Sequence, residues 1–213
     1  MSVELPESLK PKIKEAISLL KRGGIVAFPT DTVYGLGASA VIPEAVARVY
    51  RVKKRPASQP LPLLLASVSQ IREVAETVPP VAWLLARKFL PGALTLVLPK
   101  SSSVPDVVTA GGGTIAIRIP AHPVPVALIN GLGAPLTGTS ANLSGRPSTL
   151  TAAEVYAEFG DKIDLVIDGG RCPGGRESTV VDVTGTVPIV LREGAVALSV
   201  LKQVCPDIIL PGG

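Results

Sequence analysis

Four polar segments of the sequence follow or interrupt apolar runs, and their side chains can bind anions. They are residues 28–40 (FPTDTVYGLGASA), 52–61 (VKKRPASQPL), 137–148 (TGTSANLSGRPS) and 168–183 (DGGRCPGGRESTVVDV). Ligands of open α/β folds bind at strand ends, in the loops that follow. Hydroxyl, amide and glycine residues also form plain caps and turns, so each segment by itself leaves both interpretations open.

Lys53 and Arg55 are the strongest candidates for phosphate binding. Because they lie two residues apart, an extended backbone would point both side chains the same way, and together they could bind one polyphosphate. The glycine-rich stretches match no standard nucleotide motif. The GLG of residues 35–37 lacks a third glycine, and residues 137–148 lack the lysine of a phosphate-binding loop.

Two arginines lie within or at the end of apolar strands. Alternation in TIAIRIP puts Thr114, Ala116 and Arg118 on one face of the strand. Arg192 ends another apolar run. A guanidinium in an apolar setting needs a carboxylate or phosphate partner, and the sequence allows that partner to be either a ligand or an internal acid.

The composition excludes several common chemistries. His122 is the one histidine, and its position before Pro123 fits a turn, so catalytic triads and multi-histidine metal sites are not available. Cys172 and Cys205 are too few for a zinc site or a disulfide scaffold, although a single bridge between them is allowed. Enzymes without a nucleophile can act by positioning and charge neutralisation, as in phosphoryl transfer.

The elements that must position these residues follow from hydrophobic periodicity and from helix and turn signals. Helices are predicted at residues 8–22, 43–55, 69–78, 81–89, 124–129, 151–159 and 198–204. Strands are predicted at residues 25–28, 61–66, 94–98, 114–119, near 136, and at 165–168, 179–183 and 189–192, the last two as a hairpin. This order predicts an α/β or α+β fold with a mixed parallel and antiparallel sheet of about seven strands, flanked by helices.

The composition favours a folded cytoplasmic protein. With 213 residues, 46% hydrophobic and 18% charged, the chain can bury a large core, and we expect one domain at 1–213. The charge-free run 119–145 is interrupted by prolines and glycines, so no membrane span is expected. Five cations lie within eight residues: Arg48, Arg51, Lys53, Lys54 and Arg55. Such a density attracts phosphates or nucleic acid.

Seven segments, taken in order, resemble the YrdC/Sua5 family of threonylcarbamoyl-AMP synthases. They are FPTDTVYGLG, Lys53 and Arg55 followed by Pro56, PGALTLVLP, TIAIRIPAHP, TSANLSGRPS, ESTVVD and VLREG, and the resemblance covers residues 13–194. It implies a YrdC-like fold, in which a twisted mixed sheet curves around a concave basic active site. It also implies a nucleotidyltransferase that converts L-threonine, bicarbonate and ATP, with Mg²⁺, into threonylcarbamoyl-AMP and pyrophosphate. The product would supply a tRNA threonylcarbamoyltransferase machinery that makes the t6A37 modification.

The resemblance assigns roles to the positions that match the family's motifs. For ATP binding it implies Lys53, Arg55, Gln59, Thr114, Ser140, Asn142, Ser148 and Arg192, of which Lys53, Arg55, Ser140 and Asn142 would be catalytic. For L-threonine binding it implies Arg118 on the carboxylate, and Thr32 and Ser178 on the amine or hydroxyl. No resident metal ligands are expected. Where longer members place a histidine near the threonine, this sequence has Leu64, and no contact is assigned there.

Two alternatives stay open. One is the carbamoyl-adenylate-forming enzyme of hydrogenase maturation, which shares the fold but is longer and carries zinc-finger cysteines. The other is a non-catalytic protein that binds tRNA or double-stranded RNA through the basic N-terminal cluster. An aromatic content of 3% argues against base stacking, though not against backbone binding. Longer family members add a C-terminal domain that can lie over the site, and this sequence of 213 residues resembles the short, single-domain form.

Overall fold

Eight α-helices and ten short β-strands lie in residues 4–212, the part of the chain that the computed structural model describes. Residues 1–3 and 213 of the predicted domain lie outside the described residues. The helices are α1 (Lys10–Lys21), α2 (Pro43–Lys53), α3 (Ile71–Val74), α4 (Pro80–Phe89), α5 (Asp106–Thr109), α6 (Pro123–Leu132), α7 (Ala152–Phe159) and α8 (Leu198–Lys202). The strands are β1 (Val26–Phe28), β2 (Gly35–Gly37), β3 (Leu63–Leu64), β4 (Leu94–Pro99), β5 (Thr114–Arg118), β6 (Leu136–Thr137), β7 (Thr139–Ser140), β8 (Leu165–Val166), β9 (Thr179–Asp182) and β10 (Ile189–Arg192).

The helices follow the local signals in the sequence. After α1, Gly23 adopts the left-handed conformation at φ +82°, which glycine reaches at little cost. Pro43 opens α2, where its missing N–H is not needed. The helix predicted at 69–78 is shorter, because Ala75 turns extended and bridges to Lys100. The single turn α5 was not predicted, since four residues carry no helical period.

The strands form two sheets rather than one. The four-stranded sheet has the order β7-β2-β1-β8, and the six-stranded sheet has the order β10-β9-β4-β5-β3-β6. Parallel pairs (β1 with β8, β3 with β5, β4 with β9) occur beside antiparallel ones, so the mixed α/β class is confirmed. The hairpin of β9 and β10 is also confirmed. The expectation of about seven strands was too low, because β2 and β7 lie in segments that show no hydrophobic alternation.

The two sheets meet at the junction of β6 and β7, where Gly138 alone separates a strand of one sheet from a strand of the other. Across this junction, the backbone N–H of Thr137 donates to the carbonyl of Ala38 at 2.9 Å, and the Thr137 hydroxyl accepts from the N–H of Ala38 at 2.9 Å. The chain therefore continues directly from one sheet into the other.

Alternation along β5 decides which side chains face the core and which face the cavity. Ile115 and Ile117 are buried in the larger hydrophobic core, with side chains of α2, α4 and β4. Ala116 and Arg118 line a cavity on the opposite face, as the alternation predicted. A smaller hydrophobic core between α1, α6 and β1 supports the four-stranded sheet.

Across residues 4–212, each helix is too short or too polar to cross a lipid bilayer.

Gly37→Ala is expected to destabilise the protein at the sheet junction. A Cβ at this position would lie 2.3 Å from the carbonyl oxygen of Thr137, and that oxygen belongs to backbone that cannot move without disturbing β6. We expect a loss of about 1–3 kcal/mol, measured by urea unfolding. Gly113→Ala is the control, because its Cβ meets nothing within 4 Å. Equal effects of the two substitutions would contradict the steric account.

Candidate functional site

A cavity of about 470 Å³ lies between strands of both sheets, and charged, hydroxyl and amide side chains are among its lining residues. This volume is within the range of small-molecule sites. Nine of the eleven residues that the resemblance assigned are in its lining: Thr32, Lys53, Arg55, Gln59, Arg118, Ser140, Asn142, Ser178 and Arg192. The other two, Thr114 and Ser148, are not in the lining. Their positions are close: Thr114 is exposed at the start of β5, two residues before Ala116, and Ser148 bonds to a lining residue.

Lys53 is the last residue of α2 and is only 2% exposed. Its ammonium donates to the backbone carbonyls of Ser140 and Asn142, the latter at 2.6 Å. Burial, followed by the nearby charge of Arg55, lowers the pKa of Lys53 to about 8. The extended backbone that would point both side chains the same way is not present, because Lys54 has the left-handed conformation, at φ 51° and ψ 38°. Both cations nevertheless line the cavity.

Arg55 is held against the loop that follows it. Its Nε donates to the carbonyl of Gln59 at 3.0 Å, and one terminal nitrogen donates to the carbonyl of Pro60 at 2.9 Å. Burial lowers the pKa of Arg55, and the charge of Arg192 lowers it further. The two guanidinium groups are therefore close enough to repel each other. The Gln59 side chain belongs to the exposed rim of the cavity.

The segment after β7 presents unsatisfied oxygens to the cavity. Asn142 is 5% exposed, and its amide nitrogen donates to the carbonyls of Leu143 and Arg146. Within residues 4–212, the Asn142 side-chain oxygen and the Ser144 hydroxyl are buried and have no hydrogen-bond partner. Buried polar atoms without partners are uncommon in native proteins. Both residues line the cavity, where a bound molecule could satisfy them.

Arg118 ends β5, lines the cavity and is 8% exposed. Its Nε donates to the carbonyl of Gly92, and its terminal nitrogens donate to the hydroxyl of Thr32 at 2.8 Å and to the carboxylate of Asp31 at 2.6 Å. Burial lowers the pKa of Arg118, while Asp31 opposes that effect. The partner that the sequence left open is therefore an internal acid.

A hydrogen-bonded pair and an ion pair also lie in the lining. The hydroxyls of Ser178 and Thr95 share a hydrogen bond of 2.8 Å, and both residues are buried. Arg192 pairs with the carboxylate of Glu177, which also accepts a hydrogen bond from Ser148 at 2.6 Å. Arg192, like Arg118, thus has a carboxylate partner within the chain.

Sequence reasoning gave no role to several lining residues. Thr95 is a single polar residue in the apolar run of β4, and this signal could have identified it. Glu177 lies inside the ESTVVD segment, but nothing in the sequence indicated which cations it would meet. Ser144 and Arg146 lie in the segment 137–148, and the resemblance assigned them no role. These four residues line the cavity.

The residues that the sequence excluded from chemistry lie outside the cavity lining. His122 caps α6, where its Nδ1 accepts the N–H of Val124 at 3.2 Å, so its predicted turn role is confirmed. Cys172 and Cys205 are both free and buried, so the disulfide that the sequence allowed is not formed. Among residues 4–212, no group of three or more His, Cys, Asp or Glu side chains could hold a metal ion.

Comparisons with known proteins agree with the resemblance. The family model Sua5_yciO_yrdC, described as "Telomere recombination", matches residues 18–194. A threonylcarbamoyl-AMP synthase from Pyrococcus abyssi is 45% identical over 197 residues, which cover 92% of this chain and 58% of that protein. The crystal structure of P. abyssi Sua5 complexed with L-threonine is 44% identical, with a TM-score of 0.93, over 97% of this chain and 60% of that one. Full-length HypF is 23% identical, with a TM-score of 0.75, over 85% of this chain and 29% of that one; this likeness shows the fold alone.

Asp31→Asn is expected to destabilise the protein, because it leaves the buried guanidinium of Arg118 without its countercharge. The two side chains are 9% and 16% exposed, and breaking a buried pair costs about 3 kcal/mol or more. Glu15→Gln is the control, since it breaks the Lys12–Glu15 pair, which is 44% and 53% exposed and is worth about 0–1 kcal/mol. Thermal and urea unfolding measure both. Equal losses would show that Asp31 is not the countercharge that matters.

Proposed function

Because the chain belongs to the Sua5/YciO/YrdC family, we propose that its cavity is the active site of an L-threonylcarbamoyladenylate synthase, a nucleotidyltransferase. The substrates are L-threonine, bicarbonate and ATP, and the products are threonylcarbamoyl-AMP, pyrophosphate and water. The chain spans 58% of the length of the P. abyssi synthase, so the proposed activity rests on the cavity as well as on family membership. The observation that carries it is one cavity lined by the cations Lys53, Arg55 and Arg192 and by the anchored Arg118.

Arg118 supplies the amino-acid end of the site. A guanidinium has five N–H groups, and three of those on Arg118 are used by Gly92, Thr32 and Asp31. Two N–H groups are therefore left for the carboxylate of L-threonine, in the paired geometry that arginine favours. The hydroxyls of Thr32 and Ser178 lie in the same lining and can contact the amine or hydroxyl of the substrate. The structure of P. abyssi Sua5 complexed with L-threonine supports L-threonine as the substrate.

The nucleotide end has to stabilise a leaving pyrophosphate. In the reaction, the amine of threonine and bicarbonate form a carbamate with loss of water. A carbamate oxygen then attacks the α-phosphorus, and the bond to the bridging oxygen breaks, so that its electron pair leaves with pyrophosphate. Lys53, Arg55 and Arg192 supply positive charge for the triphosphate, and Ser140, Asn142 and Ser148 add hydrogen bonds. Positioning and charge stabilisation of this kind suffice for phosphoryl-type transfer. Gln59 and Thr114 would contact the part of ATP outside the triphosphate.

Magnesium enters as part of the MgATP substrate. Mg²⁺ is usually held by one or two protein oxygens together with substrate phosphates. The unpartnered oxygen of Asn142 fits this limited role. When bound, the ion supplies charge neutralisation on the phosphates.

The RNA-binding alternative is less well supported. Of the five clustered cations, Lys53 is buried and lines the cavity, as does Arg55. Arg48 pairs with Asp164 at 2.7 Å. Arg51 and Lys54 are the exposed members. Most of the cluster's charge is therefore directed to the cavity or neutralised. A cytoplasmic location and delivery of the adenylate to a tRNA threonylcarbamoyltransferase machinery follow from the proposed product.

The direct test is pyrophosphate release from ATP, measured with and without L-threonine and bicarbonate. We expect release only when all three substrates are present, together with a threonylcarbamoyl-AMP product detected by mass spectrometry. Arg118→Lys is expected to raise the KM for L-threonine at least tenfold, because an ammonium cannot form the paired hydrogen bonds. ATP hydrolysis that ignores L-threonine would refute the proposal.

The affinity for ATP is expected to fall as the pH rises through about 8. The pKa of Lys53 in the free protein is about 8, so its charge is present below this pH and lost above it. Bound phosphate stabilises the charged form and raises this pKa, so binding above pH 8 takes up a proton and weakens by up to tenfold per pH unit. Calorimetric titration between pH 7 and 10 measures the trend, and Lys53→Arg is the control because it keeps the charge. The same pH dependence in Lys53→Arg would exclude Lys53 as its source.

A further inference from the structure

Glu177 is the one carboxylate among the described residues that line the cavity, and it lies among groups proposed to bind phosphate. One carboxylate oxygen accepts a hydrogen bond from the Ser148 hydroxyl at 2.6 Å, and the other pairs with Arg192. Two groups proposed to bind ATP therefore converge on one internal anion.

The charge of Glu177 is maintained in spite of partial burial. Burial would raise the pKa of Glu177, but the hydrogen bond from Ser148 and the charge of Arg192 more than offset it, so the pKa lies below its usual range. The positive charges of Lys53 and Arg55 also act on it. Glu177 thus has the environment of a bound phosphate oxygen: it is charged, accepts a hydrogen bond from a hydroxyl and is paired with a cation.

The local backbone directs Arg192 toward this anion. Val190 pairs with Val181, but Arg192 pairs with Val180, so β10 carries an irregularity at Leu191. Such bulges change the direction of the side chain that follows. Besides Glu177, Arg192 contacts the carbonyl of Ser178 at 2.9 Å. The Arg192 side chain is 49% exposed, so it has room to exchange one partner for another.

The backbone of Glu177, in contrast, is fixed. A Cβ on Gly194 would lie 2.3 Å from the carbonyl oxygen of Glu177, and the N–H of Ala195 donates to that oxygen at 2.8 Å. The glycine permits this close approach, and the hydrogen bond holds it. Any change of partners at this place must therefore occur in the side chains of Glu177, Arg192 and Ser148.

We propose that Glu177 is an internal competitor of the nucleotide: its carboxylate occupies part of the triphosphate site in the free protein and gives up Ser148 and Arg192 when ATP binds. The inference rests on the proposed function of the cavity. It follows because two anions cannot share the same donors without strong repulsion. The carboxylate keeps the phosphate-binding groups in place while no ligand is present. The Glu177 carboxylate also selects for highly charged ligands, since only a ligand with several negative charges displaces it.

The test compares the binding of tripolyphosphate and of ATP to the wild type and Glu177→Gln, by calorimetry in EDTA at constant ionic strength. Glutamine keeps the size of the side chain and an acceptor for Ser148 but removes the charge. Glu158→Gln is the matched control. Glu158 pairs with Arg146, another cation of the cavity lining, and accepts the N–H of Leu143, so this change raises the net charge by the same amount without removing the carboxylate partner of Ser148 and Arg192.

We expect Glu177→Gln to bind tripolyphosphate and ATP at least tenfold more tightly than the wild type, and Glu158→Gln to differ from it by less than threefold. Unchanged or weaker binding by Glu177→Gln, or an equal gain in Glu158→Gln, would overturn the inference. If the wild type binds ATP but Glu177→Gln shows no gain, only the role of Glu177 is refuted. If no variant binds either ligand, the proposed nucleotide site fails as well. If the unfolding curve of Glu177→Gln shows that this variant is misfolded, Glu177→Met, which is also uncharged and of similar size, replaces it.

Discussion

The ammonium of Lys53 joins two parts of the chain that are almost ninety residues apart in sequence, since it donates to the carbonyls of Ser140 and Asn142. The link is reciprocal, because the N–H of Ser144 donates to the carbonyl of Lys53 at 2.9 Å. The end of α2 and the segment after β7 therefore form one wall of the cavity. Burying an amine is costly unless its hydrogen bonds are satisfied, and here two carbonyls satisfy it. The positions of Arg55 and of Asn142 at the cavity both depend on this contact.

Each of the two strand arginines of the site has an acid of its own. Arg118 is held by Asp31, which also accepts the N–H of Ala121 at 3.1 Å. Asp31 is not itself in the cavity lining, so it can orient Arg118 without competing for the substrate. Glu177 differs, because it lies in the lining beside Arg192. One acid is thus placed to support its arginine and the other to compete with an anionic ligand, and the difference is decided by which side of the arginine each acid occupies.

Glycines at the sheet junction and beside the site allow backbones to approach closely. Gly138 passes the chain between the two sheets, and a Cβ there would lie 2.3 Å from the side chain of Leu64. Gly174 packs against the backbone of Asp31 and Thr32 in the same way, with a Cβ distance of 2.6 Å to the Asp31 carbonyl. These contacts bring β3 and the loop after β1 to the cavity. The cavity is therefore formed by backbone proximity as much as by polar side chains.

The sequence alone determined the local features. The helix ends at Pro43 and Gly23, the alternation that sends Arg118 to one face of β5, and the order of motifs were all readable, because they depend on periodicity and on neighbours along the chain. It could not determine the second sheet, since β2 is a GLG stretch whose partners lie far away in sequence. It could not show that Lys53 is buried, because the carbonyls that satisfy its ammonium come from residues 140 and 142. Nor could it assign Asp31 to Arg118 and Glu177 to Arg192. Ion pairs form between residues that the fold brings within a few ångströms, and only the tertiary structure sets those distances.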